Sequence, residues 1–396
     1  MVRKLALSVL LFTASAFQPA SAQELRIGFL GVATGPFAGI GMHNERGWKL
    51  GLEKEGWAKD GDKLGGVATR IFYGDDQMKP DTGLREIEKF IKNDRVQIIS
   101  GVMGSNVMMA VAKPIFDANV VLVGANVGPA PLAGELCNPL FASASFMNDQ
   151  NAEATGELAN RDGIKSIYLI APNYQAGKDN VAGFQRTYKG TVAGLALVKL
   201  GESDFQADFS KVRAAAPEAV MVFAPGAMGV SFMKQWESTG LGKTIKLYTL
   251  YTIDNATLPA IGAAALGSVQ TSHWNPDLPD PRNQVFIKDY SAKYGNLPSI
   301  YSVHGYDAAR TIATAMKTLG GKLGEPLTIA KTLRQQGLAS VRGDLKYNVN
   351  GFLIQPYWKL EVVAGADGKV MERGREKVFE RPDSFVEKCP KDKQIQ

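Results

Sequence analysis

Short apolar runs alternate with longer stretches of helical periodicity along most of the 396 residues. The runs Leu25–Val32, Ala68–Tyr73, Gln97–Gly101, Val120–Gly124, Ser166–Ala171, Ala219–Phe223, Lys246–Leu250 and Ser268–Ser272 read as strands. Between them lie helical patterns such as Thr82–Asn93, Ser105–Asp117, Ala152–Arg161, Asn180–Tyr188 and Met228–Thr239. Strands that are apolar throughout need cover on both faces, and intervening helices supply it, so βαβ units and parallel sheets are expected. The series restarts near Ser166 after a strandless stretch from Ala125 to Gly163, which points to two doubly wound lobes. The length agrees, because single cores stop growing at about 250–300 residues. Helices at Arg282–Tyr294 and Ser302–Leu319 follow the second series, and the lack of a long flexible linker implies short crossings between lobes.

The N-terminus reads as an address. Arg3 and Lys4 precede an apolar core, Leu5–Phe17, and Ala20-Ser21-Ala22 fits a small-x-small cleavage site. The core is shorter than the roughly 20 residues that span a bilayer. A cleaved signal peptide over 1–22 is therefore expected in preference to an anchor or a buried first helix, leaving Gln23 first and the chain periplasmic. Removing Arg3 and Lys4 lowers the formal net charge from +6 by two, to +4. The remaining basic residues are scattered among acids, a pattern of solubility and not of a nucleic-acid surface. Cys137 and Cys389 are the two cysteines. In an oxidising compartment an even count favours a disulfide over two free thiols.

Three glycine-containing loops follow strands: "GVATGPFAGIG" (31–41), "SGVMGSNVMMA" (100–110) and "GANVGPAPLAG" (124–134). None ends in Gly-Lys-Ser/Thr, and the first has no G-x-G-x-x-G register, so phosphate-loop and dinucleotide readings fail. What remains is exposed backbone N–H groups, the Ser105 hydroxyl and the Asn126 amide. Helix N-termini with free N–H groups suit a carboxylate, although such glycines also serve simply as turns. His43, His273 and His304 show no metal-ligand spacing, and there is no G-x-S-x-G elbow. Asp75-Asp76 is open to two readings, a catalytic carboxylate pair or acids capping a loop at a strand end. No metal or cofactor is called for, and no residue pattern demands an enzyme.

The ordered set "GVATGPFAGIG", "YGDDQMKPDTGLREIEKFI", "IISGVMGS", "LIAPNYQAGKDNVAGFQRTYKG" and "GYDAARTIATAM" resembles the leucine/isoleucine/valine-type periplasmic binding proteins of ABC importers. The resemblance covers nearly all of the mature chain. It implies a type I periplasmic binding protein: two doubly wound parallel-sheet lobes, a ligand cleft between them, and crossings near Phe141–Ser145, Thr271–Trp274 and Asn348–Gly351. The lobes implied are 23–143 with 273–349, and 144–272 with 350–381, followed by a tail at 382–396. By the same resemblance a ligand carboxylate is held by Ser105, Asn126 and Gly128, and the partner is an inner-membrane permease served by a monomeric receptor.

The departures from that family concern the ligand. Tyr251 stands where amino-acid binders carry an acid for the α-ammonium, with Asp254 or Asp204 as alternative acids. Ile40 and Ala176 replace aromatics, Tyr174 lies two residues before Ala176, and Gly226-Ala227 stands where another tyrosine is often found. "APNYQAGKD", "SHWNPDLPDP" and the tail cysteine resemble the subgroup that binds aromatic carboxylates. His273-Trp274 is either a stacking face for the ligand or packed hinge core. An aromatic acid receptor is therefore expected, with an amino-acid receptor, a ligand sensor for a signalling partner, and an enzyme using Asp75 and Asp76 as the alternatives in that order.

Overall fold

The computed structural model of the protein describes residues 24–395, so the signal peptide expected over 1–22 lies outside the described residues. The first sheet contains β1 (Leu25–Gly31), β2 (Lys63–Leu64), β3 (Val67–Asp75), β4 (Ile98–Gly101), β5 (Val121–Gly124) and β6 (Phe141–Ser143). Their spatial order is β2-β3-β1-β4-β5-β6, parallel except where β2 meets β3. The connecting helices are α1 (Ala38–Lys54), α2 (Pro80–Lys92), α3 (Ser105–Asp117) and α4 (Ala130–Ala133), and α5 (Asn148–Arg161) leads to the second sheet. There β7 (Ser166–Pro172), β8 (Thr191–Val198), β9 (Ala219–Phe223), β10 (Lys246–Leu250) and β11 (Val269–Ser272) repeat the scheme as β8-β7-β9-β10-β11, all parallel. Its helices are α6 (Gln175–Thr187), α7 (Gln206–Ala215), α8 (Ala227–Thr239) and α9 (Leu258–Ile261). The chain then returns through α10 (Pro281–Tyr294), α11 (Ile300–Thr318) and α12 (Pro326–Gln335) to the short strands β12 (Leu338–Ser340) and β13 (Gly343–Tyr347). Last comes the antiparallel hairpin β14 (Leu353–Ala364) and β15 (Val370–Arg381) on the edge of β11.

Alternation along the strands explains the layering. In the first lobe Ile98, Val121 and Val123 pack with Trp48 of α1, Ile312 of α11 and Leu333 of α12. Their neighbours Ile99 and Leu122 pack on the opposite side with Phe90 of α2 and Val111 of α3. The α1–α11 contact is unusually close. A Cβ on Gly47 would sit 1.9 Å from the Ser302 carbonyl oxygen, and one on Gly305 would sit 2.1 Å from that of Asn44.

The chain passes from the first sheet to the second between β6 and α5 and leaves it again between β11 and α10; it returns with β12 and β13, which join the second sheet through the antiparallel pairing of β13 with β14. Arg342 ties the first passage to α11 and β14. Its buried guanidinium donates to the Ala144 (2.7 Å) and Ser145 (2.8 Å) carbonyls, to Gln355 and to Asp307 (3.0 Å). Cys137 and Cys389 form a disulfide across 252 positions, fastening the tail to the first lobe. Asp383 in the tail accepts from the Asn348 and Asn350 side chains at 2.8 and 3.0 Å.

Two expectations need correction. The stretch from Ala125 to Gly163 contains β6, three residues too few for any periodicity to show. The strands β8, β13, β14 and β15 also escaped the apolar pattern. β8 is an edge strand with Leu195 and Leu197 each 43% exposed, and β15 alternates charged residues along the sheet margin.

Candidate functional site

Ligands of open parallel sheets sit beyond the carboxyl ends of the strands, and the two sheets here turn those ends toward one narrow cavity. The first lobe supplies Ile40 from α1, Met78 after β3, Met103 after β4, and Asn126 with Val127 after β5. The first passage adds Phe146 and Asn148, and Tyr301 enters from the start of α11. The second lobe supplies Tyr174, Ala176 and Asn180 around the start of α6, Phe223 and Pro225 after β9, and Tyr251 after β10. No Lys, Arg, His, Asp or Glu is among these lining residues.

The lining is aromatic and held firmly. Phe146 stacks on Tyr251 with ring centroids 4.8 Å apart, and Tyr174 stacks on Phe223 at 6.2 Å. Tyr251 has φ 50° and Met78 φ 61°, and Val102, just before Met103, has φ 31°. Non-glycine residues in this left-handed region cost on the order of 1–3 kcal/mol each and persist where surrounding structure enforces them, often at ligand sites.

The polar groups divide into engaged and unengaged. Asn126 Nδ2 donates to the Met103 carbonyl at 2.9 Å, and its Oδ1 lies 3.2 Å from His304 Nδ1. His304 Nε2 in turn lies 2.7 Å from His273 Nε2, whose Nδ1 has no partner. Because an amide oxygen only accepts, His304 donates from Nδ1 and accepts at Nε2 from His273. Burial holds both imidazoles well below their usual pKa, so the pair is neutral and fixes the Asn126 amide. Asn148 is equally committed: its Oδ1 accepts from Gly128 N (3.2 Å), and its Nδ2 donates to Ser105 Oγ (3.0 Å) and Asp179 (2.8 Å). By contrast the Tyr251 and Tyr301 hydroxyls and Asn180 Oδ1 are buried without partners. Desolvation raises the pKa of both hydroxyls well above the usual tyrosine value, so they remain neutral donors.

Five of the sequence-derived positions meet at the cavity: Ile40, Asn126, Tyr174, Ala176 and Tyr251. Ser105 and Gly128 stand one layer back and touch the site through Asn148. A Cβ on Gly128 would fall 2.3 Å from the Phe146 carbonyl oxygen, so the backbone there is wedged against the passage, and its N–H is given to Asn148. Trp274 donates from Nε1 to Asn283 at 2.8 Å and lines a neighbouring cavity. Gly226 has φ 62°, and a Cβ there would meet Ile40 and Phe37 in ordinary contact at 3.6 and 3.7 Å. Asp204 is exposed and accepts from the Gln206 amide, while Asp254 caps Ala256 and Thr257 outside the main cavity. Asp75 accepts from Ala33, Thr34 and Gln77, and Asp76 from Met78, which makes this pair a brace for two site loops.

Met103, Phe146 and Phe223 were missed, yet each lies at or just past the end of a strand, a rule that applied more widely would have found them. Tyr301 follows no strand, and nothing local in the sequence marks it.

The periplasmic binding protein family model matches residues 24–369, and the chain belongs to that family. Among curated proteins it is similar to the Leu/Ile/Val-binding protein homolog 6 of Brucella melitensis, 24% identical over 389 residues, covering 96% of this chain and 98% of the relative. Among solved structures it is similar to an ABC-transporter solute-binding protein of Rhodopseudomonas palustris in complex with benzoate (25% identity, TM-score 0.85, covering 93% and 99%). It is also similar to one from R. palustris BisB5 in complex with 3,4-dihydroxybenzoic acid (26%, TM-score 0.83, 90% and 97%). The leucine-binding protein of Thermotoga maritima shares the fold at 18% identity and TM-score 0.77, covering 89% and 98%. The protein is thus a solute-binding protein of the type I periplasmic fold and not an enzyme. Its family is extracytoplasmic, and no helix among the described residues is long and apolar enough to cross a membrane.

Proposed function

We propose that this protein is the receptor of an ABC importer for an aromatic carboxylate, which it encloses between its lobes and delivers to an inner-membrane permease. The observation that carries this reading is a cavity walled by Phe146, Tyr174, Phe223, Tyr251 and Tyr301 with no acidic side chain in it. An α-amino acid would bury its ammonium there unpaired, at a cost of several kcal/mol. A carboxylate on an aromatic ring needs only donors. The partnerless tyrosine hydroxyls, the second Asn126 N–H and the N-termini of α5, α6 and α11 are its proposed counterparts. Ser105 and Gly128 act on the ligand by positioning Asn148. The benzoate and 3,4-dihydroxybenzoate complexes of the two R. palustris relatives support the same ligand class.

The lobes move as 23–143 with 273–349 against 144–272 with 350–381, the tail at 382–396 riding on the first. The receptor is exported by cleavage after Ala22, works in the periplasm, and acts as a monomer. A branched-chain amino-acid receptor is the second reading, favoured by the name of the Brucella relative. A thermal-shift screen of amino acids against aromatic and aliphatic acids tests the assignment. Shifts confined to aromatic acids are expected, and shifts confined to amino acids would overturn it.

A further inference from the structure

The tail that follows β15 is anchored to both lobes. On the second lobe, Arg381 at the end of β15 pairs with Glu153 (3.0 Å) and Glu157 (2.5 Å) of α5, and Ser384 Oγ donates to Glu153 at 3.0 Å. Glu153 is fully buried at the side chain and also pairs with Arg186 of α6, whose guanidinium lies 5.0 Å from the centroid of the Phe385 ring. The same Phe385 packs against the first-lobe cluster that contains Leu122, Ala130 and Ala133, and a Cβ on Gly134 would sit 3.7 Å from its ring. On that lobe Lys388 lies 3.7 Å from Glu135, and Cys389 is bonded to Cys137. Between the two sets of anchors, Asp383 accepts from Asn348 and Asn350 in the turn between β13 and β14.

The disulfide therefore makes a further covalent path between the lobes, beside those of the backbone. It runs from β15 through residues 382–389 to the segment after α4. The path is short. Ser384 and Cys389 are five positions apart, which an extended chain spans in at most about 18 Å. Val386–Lys388 form a single 3₁₀ turn, and unwinding it from a rise of about 2 Å per residue releases only about 4 Å. Binding proteins of two lobes work by hinge closure around the ligand. We propose that residues 382–389 and the Cys137–Cys389 bond form a strap that limits how far the lobes separate. The ion pairs at its ends lie partly in solvent and yield easily, so the covalent bond sets the limit. Restricting the open arrangement raises the fraction of molecules competent to enclose a ligand, and with it the apparent affinity. The proposal rests on the two-lobed fold and not on the class of ligand.

Small-angle X-ray scattering of the ligand-free mature protein tests it, well below the melting temperature. Two variants are compared with the parent: Cys137→Ser/Cys389→Ser, which cuts the strap, and an insertion of four glycines between Val386 and Glu387, which lengthens it with the disulfide intact. Both are expected to expand, the radius of gyration rising by roughly 1 Å on the value of about 21 Å typical of a chain this long. An insertion variant with the parent radius would overturn the proposal whatever the double variant does, because the disulfide would then act on folding and not through the length of the strap. A folded double variant with the parent radius would overturn it as well. Each variant decides alone if the other does not fold.

Discussion

Asp179, on α6 of the second lobe, accepts a hydrogen bond from the Ala130 backbone N–H of the first lobe at 3.2 Å and from Asn148 Nδ2 at 2.8 Å. The Ala130 contact bridges the two lobes beside the ligand cavity, while Asn148 holds the Asp179 carboxylate in place from within the second lobe. Asp179→Ala should therefore raise the population of the open form and weaken ligand binding, since apparent affinity scales with the competent fraction. Hydrogen bonds to a charged group are worth about 1.5–3 kcal/mol, so roughly a tenfold to hundredfold loss is expected by calorimetry. Unchanged affinity would mean that closure does not depend on this latch.

Arg342 and Asp307 are both fully buried at the side chain and lie 3.0 Å apart. Arg342→Leu strands the Asp307 carboxylate and releases the Ala144 and Ser145 carbonyls. Breaking a buried pair by removing one partner costs about 3–5 kcal/mol. A large fall in the denaturant midpoint is expected, partly recovered in Arg342→Leu/Asp307→Asn, which removes the stranded charge. A variant as stable as the parent would contradict the clamp role.

The Cys137–Cys389 bond closes a long loop, for which about 2–5 kcal/mol of stabilisation is typical. Thiol titration of the denatured, unreduced mature protein should find no free thiol, and reduction should lower the melting temperature. Because the tail docks through Asp383 and Asn350, its loss should also leave the Asn350 amide with only the Ala133 carbonyl as acceptor.

Burial pushes the Asp76 carboxyl up to about 7, with the neighbouring Asp75 charge acting in the same direction. In the unfolded chain the group ionises near 4, so between about pH 4 and 7 the folded state holds a proton that the unfolded state has lost. Stability therefore falls as pH rises through that window and levels off above it. From pH 5 to 7 this single group contributes roughly 2–3 kcal/mol of loss. Asp76→Asn should flatten the pH dependence of the melting temperature across that range. An identical profile in the variant would show that Asp76 titrates normally.

The architecture was legible wherever strands are buried on both faces. Runs such as VLVG at β5 and AVMVF at β9 have no polar position to blur them, and their neighbours followed by topology. Edge elements were not, because β8 and β15 face water and alternate or carry charge. At the site, the loop after β5 announced Asn126, and alignment with the resembled family brought in Tyr251. The His273–His304 contact was invisible, since 31 residues separate the two and no local spacing encodes a meeting across the second passage.

The central claim is that the cleft takes an aromatic carboxylate because nothing in it pairs an ammonium. Side-by-side calorimetry with benzoate, 4-hydroxycinnamate, leucine and valine tests this most directly. At least one aromatic acid should bind with micromolar or tighter affinity, and both amino acids should bind at least a hundredfold more weakly. Micromolar or tighter leucine binding with no response to either aromatic acid would contradict it.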